Sequence, residues 1–230
     1  MSRREKKVVL VIVEGQTDAE ALGVCLASIF SKSDLVVEIT HGDITTQRDS
    51  QGYCIRKKVG EIVKRYLGGN RFIRKNDILR IIHLTDTDGA FIPNKAVQED
   101  LLEAKTRYST EAIFTPHKKS IEDRNLQKKS CLRELVKTKA IMNIPYQIFF
   151  MSCNLEHVLH NQMNCSQDEK EQLAFQFANR YKNDAEGFRM LMEKSDFSVV
   201  GTYQDSWRLI ERETESLKRH SNLCLAWKEE

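Results

Sequence analysis

Residues 7–13, KVVLVIV, hold six consecutive apolar positions, most of them β-branched. A short continuous run of this kind predicts a strand buried on both faces, as in a parallel sheet. Helical spacing follows it. Leu22, Cys25, Leu26 and Ile29 recur on one face, which predicts a helix over about 17–31, with Thr17 and Glu20 at capping-box positions. Residues 35–40 (LVVEIT) predict a second strand, and 52–69 a basic helix closing at Gly68-Gly69. Residues 78–85 (ILRIIHLT) predict a third strand, which runs into the acidic turn DTDG. The order β-α-β-α-β predicts an α/β domain with a largely parallel sheet.

Further along, 95–107 is expected to be helical and 111–116 a short strand or loop. A long basic helix is expected over 118–139 and a buried strand over 146–152 (YQIFFMS). Beyond Asn154 the pattern is helical, near 154–163, 167–182, 184–194 and 203–221. The sheet pattern stops near 165, so the expected division is an α/β unit over 1–165 and a helical C-terminal extension over 166–230. The α/β unit then includes a basic helical insertion at about 95–140.

Composition narrows the class. The 230 residues are 40% hydrophobic and 30% charged, with three prolines and ten glycines, as expected of a globular chain that buries a core. No apolar stretch approaches the roughly 20 residues that span a bilayer. The basic N-terminus leads into an apolar run cut short by Glu14, unlike a secretory signal, so a cytoplasmic location is expected. The six cysteines include no CxxC pair, which points to reduced thiols rather than zinc or a disulfide framework. Net charge is only +3, yet 51–80 carry nine Lys/Arg against two acids, and 118–139 eight against three. Such segments form either solvated helix faces or positive surfaces for phosphate backbones. The candidate nucleic-acid contacts are Arg56, Lys57, Lys58, Lys64, Arg65, Lys118, Lys119, Lys128 and Lys129.

The chemistry is concentrated at strand ends. Glu14 ends the first predicted strand, and Asp86 and Asp88 end the third. Ligands of open parallel sheets bind beyond the carboxyl ends of strands. In an extended segment, residues two apart share a face, so Asp86 and Asp88 are expected to point together. Three carboxylates there suit a hard cation such as Mg²⁺, which takes oxygen ligands and retains waters. Each piece also has an ordinary reading. Glu14-Gly15 could be a turn, Asp18 a helix-dipole partner, and DTDG a loop.

Together, VIVEGQTDAEAL and IIHLTDTDGAF resemble the TOPRIM domain of topoisomerases, primases, ribosomal-RNA maturases and OLD-type nucleases. The resemblance covers residues 7–92 well and the following sheet region loosely. It implies a TOPRIM-like, Rossmann-like fold whose catalytic domain occupies 1–165. It also implies catalytic and metal roles for Glu14, Asp86 and Asp88, with Asp18 as a further acidic ligand of the OLD-like branch. Glu156, in FFMSCNLEHVLHN, is the candidate late acidic residue and metal ligand, with an ordinary place in the first turn of a helix as the equal alternative. Ser152, His157 and His160 lie beside it, and Asp43 in HGDITT could reach the site from a loop.

The expected activity is cleavage of phosphodiester bonds in DNA or RNA with one or two Mg²⁺ or Mn²⁺ ions. No P-loop GxxxxGK[ST] is present, so a controlling ATPase, or another regulatory protein, would be a separate partner. A role in antiviral defence is implied by the same analogy, and the helical tail offers a surface for docking or homo-oligomer formation. The chain is too short for topoisomerase gating domains. Two alternatives stand beside this reading. One is a non-catalytic TOPRIM module that binds nucleic acid or docks a partner through YQDSWRLIERETESLKRH, with Trp207, Leu209 and Ile210 as anchors or as core. The other is phosphoryl chemistry on a small molecule, against which stands the lack of a phosphate-cradling glycine loop.

Overall fold

A computed structural model describes residues 7–30, 34–39, 43–46 and 54–227. The first half alternates strand and helix: β1 (Val8–Val13), α1 (Gln16–Ile29), β2 (Asp34–Ile39), α2 (Ile55–Gly69) and β3 (Ile78–Asp86). Three short strands follow, β4 (Val97–Glu99), β5 (Arg107–Tyr108) and β6 (Ile113–Thr115), and then the long helix α3 (Lys118–Lys137). A hairpin of β7 (Ala140–Ile141) and β8 (Ile144–Met151) leads to α4 (Leu155–His160), α5 (Gln167–Tyr181), α6 (Ala185–Lys194) and α7 (Tyr203–Ile210). The main sheet has the order β2-β1-β3-β8-β7 and is parallel except at the hairpin. There Met142 and Asn143 both take positive φ, 53° and 63°, as a tight two-residue turn between twisted strands requires. β4, β6 and β5 form a small second sheet.

Strand alternation builds a core on each face. Val9, Val11 and Val13 of β1 pack with Leu22, Leu26, Phe177, Tyr181 and Phe188 of α1, α5 and α6. Leu10 and Ile12 pack on the other side with Val59, Val63, Leu132 and Leu135 of α2 and α3. Both faces of β1 are therefore covered, and every one of its six residues is buried, which is why its sequence is apolar without alternation. The C-terminal helices belong to these same cores. Trp207 meets Phe150 edge to face at 4.9 Å, and Ile210 is buried beside it, so these two residues serve the chain's own packing. Among the described residues no helix is long and apolar enough to cross a membrane.

Three local expectations change. The helix expected over 95–107 is β4 with turns, because Val97 pairs with Ile113 while Leu101 and Leu102 stay in solvent and cover no helical face. The helix expected over 203–221 ends at Ile210; the chain then turns through Glu213 at φ 38° and returns to the sheet edge, where Ser221 bridges Met151. Helix α1 starts earlier than its capping pattern suggests. Gly15 is its N-cap, and Asp18 closes the first turn by accepting from the Gly15 N–H at 2.8 Å, whereas Glu20 is exposed.

Candidate functional site

The chain leaves β1 through α1 to β2 on one side, then crosses by α2 to β3 on the other side of β1. α1 and α2 lie on opposite faces, so the carboxyl ends of β1 and β3 form the switch point, the place where open α/β sheets hold ligands in a crevice. Glu14 follows β1 directly, Asp86 is the last residue of β3, and the segment after β8 brings Glu156 to the same edge.

Each carboxylate is held differently. Glu14 Oε1 accepts from the Thr85 hydroxyl at 2.6 Å and from the Asp86 N–H at 3.2 Å. Asp86 accepts no side-chain hydrogen bond among the described residues. Asp88 does not continue the strand: its φ is 47° and that of Gly89 is 65°, so the pleat no longer sets its direction. The expectation that Asp86 and Asp88 share a strand face therefore fails. Asp88 turns towards α3, where its Oδ2 accepts from Lys128 Nζ at 2.5 Å. Glu156 sits in the first turn of α4, which Asn154 caps by accepting from the His157 N–H at 2.8 Å. Its Oε2 lies 3.4 Å from Lys170 Nζ, makes no hydrogen bond among the described residues, and belongs to a residue only 3% exposed.

Lys128 requires a correction. The sequence places it among residues that track a nucleic-acid backbone, but its side chain is 0% exposed. Its ammonium sits 2.5 Å from Asp88, 2.8 Å from Asp43 and 3.8 Å from Glu14. Asp43, read as a loop residue within reach, is held in turn by the N–H and hydroxyl of Thr45. A signal for Lys128 existed. Ile121, Asn125, Lys128, Leu132 and Leu135 recur at alternating spacings of four and three along α3, and all but half-buried Ile121 are buried. Arg124, beside that stripe, donates to the Asp88 carbonyl and to the Tyr108 hydroxyl, both at 2.7 Å. Sequence reasoning singled out none of Arg124, Thr85 and Lys170, and counted Arg124 only among the basic residues of 118–139. Of the remaining basic candidates, Arg56, Lys57, Lys64, Arg65 and Lys119 are exposed, and Lys58, Lys118 and Lys129 are half-buried. His160 stacks edge-on against Phe177, and burial pushes His157 down to about 4, so both are neutral near pH 7 packing elements of α4.

The electrostatics follow from crowding acids at a buried edge. Burial pushes Glu14 up to about 8 against the pull of Lys128, with Asp43 and Asp88 adding to the rise. Burial also raises Asp18 to about 6, with Glu156 adding to the rise, and lifts Asp86 well above the carboxylate range, chiefly with Asp18 and Glu14. Asp43 goes the other way: Lys128 and Thr45 outweigh its burial and hold it low. Six carboxyl groups (Glu14, Asp18, Asp43, Asp86, Asp88, Glu156) face three cations (Lys128, Lys170, Arg124), a formal excess of three negative charges. The donors form two groups. Glu14, Asp43 and Asp88 surround Lys128, while Asp18, Asp86 and Glu156 lie on the side of Lys170. Their chemistry fits a hard divalent cation, and the charge excess gives one a reason to bind. As the side chains stand, no three His, Cys, Asp or Glu groups among the described residues close on a single point.

The turn carrying Asp88 is locked from the far end of the chain. Thr87 donates its N–H to the Met151 carbonyl and its hydroxyl to the Ser216 carbonyl, both at 3.0 Å, and accepts from the Cys153 N–H at 2.8 Å. A Cβ on Gly89, at φ 65°, would lie 2.5 Å from Leu217 Cδ2, so glycine is favoured there both for its φ and for space. Comparisons with protein-family models, with curated proteins and with solved structures find no match.

Proposed function

We propose that this chain is a divalent-metal-dependent nuclease of TOPRIM type that cleaves phosphodiester bonds in DNA or RNA. The observation that carries the reading is the gathering of Glu14, Asp86, Asp88, Asp18 and Glu156 at and just beyond three adjacent parallel strand ends at a switch point, where burial and mutual repulsion raise the proton affinity of Glu14, Asp18 and Asp86. Asp86, Asp18 and Glu156 would hold Mg²⁺ or Mn²⁺, which when bound neutralises phosphate charge and acidifies water. Glu14 is oriented by Thr85 and the Asp86 N–H, and its proton affinity near neutrality suits a group that takes a proton from an attacking water. Asp88, fixed by Lys128 and by the Arg124 bond to its carbonyl, shapes the wall of the crevice. Exposed Arg56, Lys57, Lys64, Arg65 and Lys119 would meet the substrate backbone. A controlling ATPase and a defence role rest on the TOPRIM resemblance alone.

The test is cleavage of DNA and RNA panels with Mg²⁺ or Mn²⁺, alongside Glu14→Gln and Asp86→Asn. Metal-dependent cleavage lost in both variants is expected. Cleavage that survives both ends the proposal, and tight nucleic-acid binding indifferent to metal and to both substitutions would favour a non-catalytic binding module.

A further inference from the structure

We infer that Lys128 stands where a second metal ion would otherwise sit, so that the site takes one divalent cation, on the Asp18–Asp86–Glu156 side. The inference rests on the metal-dependent reading above and deepens it. An ion coordinated by Glu14 and Asp88 at the roughly 2.1 Å of Mg²⁺ would have to displace the ammonium that Asp88 and Asp43 already hold at 2.5 and 2.8 Å. That ammonium has nowhere to go. Lys128 lies in the buried stripe of α3 between Asn125 and Leu132, and swinging it away from its three carboxylates would leave an unpaired charge in the interior.

The other lysine of the site differs in this respect. Among the described residues Lys170 makes one ion pair, with Glu156 at 3.4 Å and without a hydrogen bond to it, attracted more weakly by Asp86 and Asp18, and its side chain is 32% exposed. It can turn into solvent at little cost. What it leaves behind is a set of free acceptors. Among the described residues Glu156 Oε2 has no hydrogen-bond partner, the Asp86 carboxylate accepts none, and Asp18 commits only Oδ2, to the Gly15 N–H. One half of the crevice is thus saturated by a fixed cation and the other is open to a mobile one. Asp43 belongs to the saturated half. With one oxygen on Lys128 and the other on Thr45, it is a positioning residue for the lysine rather than a ligand.

The experiment is a Mn²⁺ titration of the full chain, read by the paramagnetic resonance of free Mn²⁺ and by calorimetry. One ion per chain is expected for the wild type and for Lys128→Arg, and two for Lys128→Met. Two ions on the wild type would overturn the role of Lys128 and leave the metal reading standing; no ion on the wild type would overturn both. A single ion on folded Lys128→Met would also overturn the inference. Should Lys128→Met fail to fold, the affinities decide: Glu156→Gln is expected to weaken Mn²⁺ binding about tenfold or more, and Asp43→Asn much less. The reverse order would place the ion on the lysine side and refute the assignment.

Discussion

Replacing Glu14 with glutamine should make the metal-free protein more stable at alkaline pH, although it removes a residue central to the proposed chemistry. In the unfolded chain Glu14 loses its proton near 4.5, whereas burial and the neighbouring Asp43 and Asp88 hold the folded value at about 8. Between those limits the native state binds the extra proton, so stability falls as pH rises. The contribution is fully present below about 4.5 and is lost as pH rises through about 8. At about 1.4 kcal/mol per pH unit, the whole span corresponds to roughly 5 kcal/mol. Glutamine forfeits the attraction of Lys128 at 3.8 Å but keeps an oxygen for Thr85 and the Asp86 N–H, so the net gain expected at about pH 8.5 is on the order of 2 kcal/mol. Urea unfolding in EDTA at several pH values, followed by circular dichroism, measures it. His83, held down to about 4 by burial, gives stability that is present above about 6.5 and lost as pH falls through about 4. That slope is common to both proteins and cancels in their difference. Parallel pH curves, or a variant less stable than wild type at about pH 8.5, would refute the account of Glu14 as a strained, charge-deficient acid. Added Mg²⁺, held by Asp18, Asp86 and Glu156, should stabilise both proteins, because Glu14→Gln keeps all three ligands.

Two further outcomes probe the lock on the site and the basic faces. Gly89→Ala should cost about 2–4 kcal/mol, from the left-handed backbone and the contact with Leu217 together. Leu217→Ala should return part of that loss in a double-mutant cycle on thermal or chemical unfolding, and strict additivity would remove the steric half of the explanation. Lys57→Ala, Lys64→Ala and Arg65→Ala combined should lower the slope of log binding constant against log salt by about 2–3 on duplex DNA. An unchanged slope would take α2 out of the substrate interface.

Much of the architecture was legible because the two periodicities that mark strands and helices are local. The unbroken apolar run before Glu14, the 3.6-residue spacing through Leu26, and the second run ending at Asp86 each report burial by a neighbouring layer, and their order predicts a parallel sheet. Glu14 and Asp86 stood out as candidates for the same reason: a polar residue at the end of a buried strand is visible in sequence, as is an acid in the first helical turn beyond one, such as Glu156. The failures were also physical. In the 95–107 segment, one pairing of Val97 with Ile113 outweighed a weak helical pattern.

What only the tertiary structure decided is the state of the charges. A lysine reads the same on a solvated face as in an interior, because sequence carries no record of what covers it. Lys128 became the centre of three carboxylates only when α3 packed across the sheet and Asp43 and Asp88 arrived from segments 85 and 40 residues away. Likewise Thr87 and Gly89 look like an ordinary turn until Ser216 and Leu217 close over them from the far end of the chain. The sequence by itself determined where the acids stand along the strands. Folding decided how much water they keep and which cation answers them, and those two quantities set the chemistry they can perform.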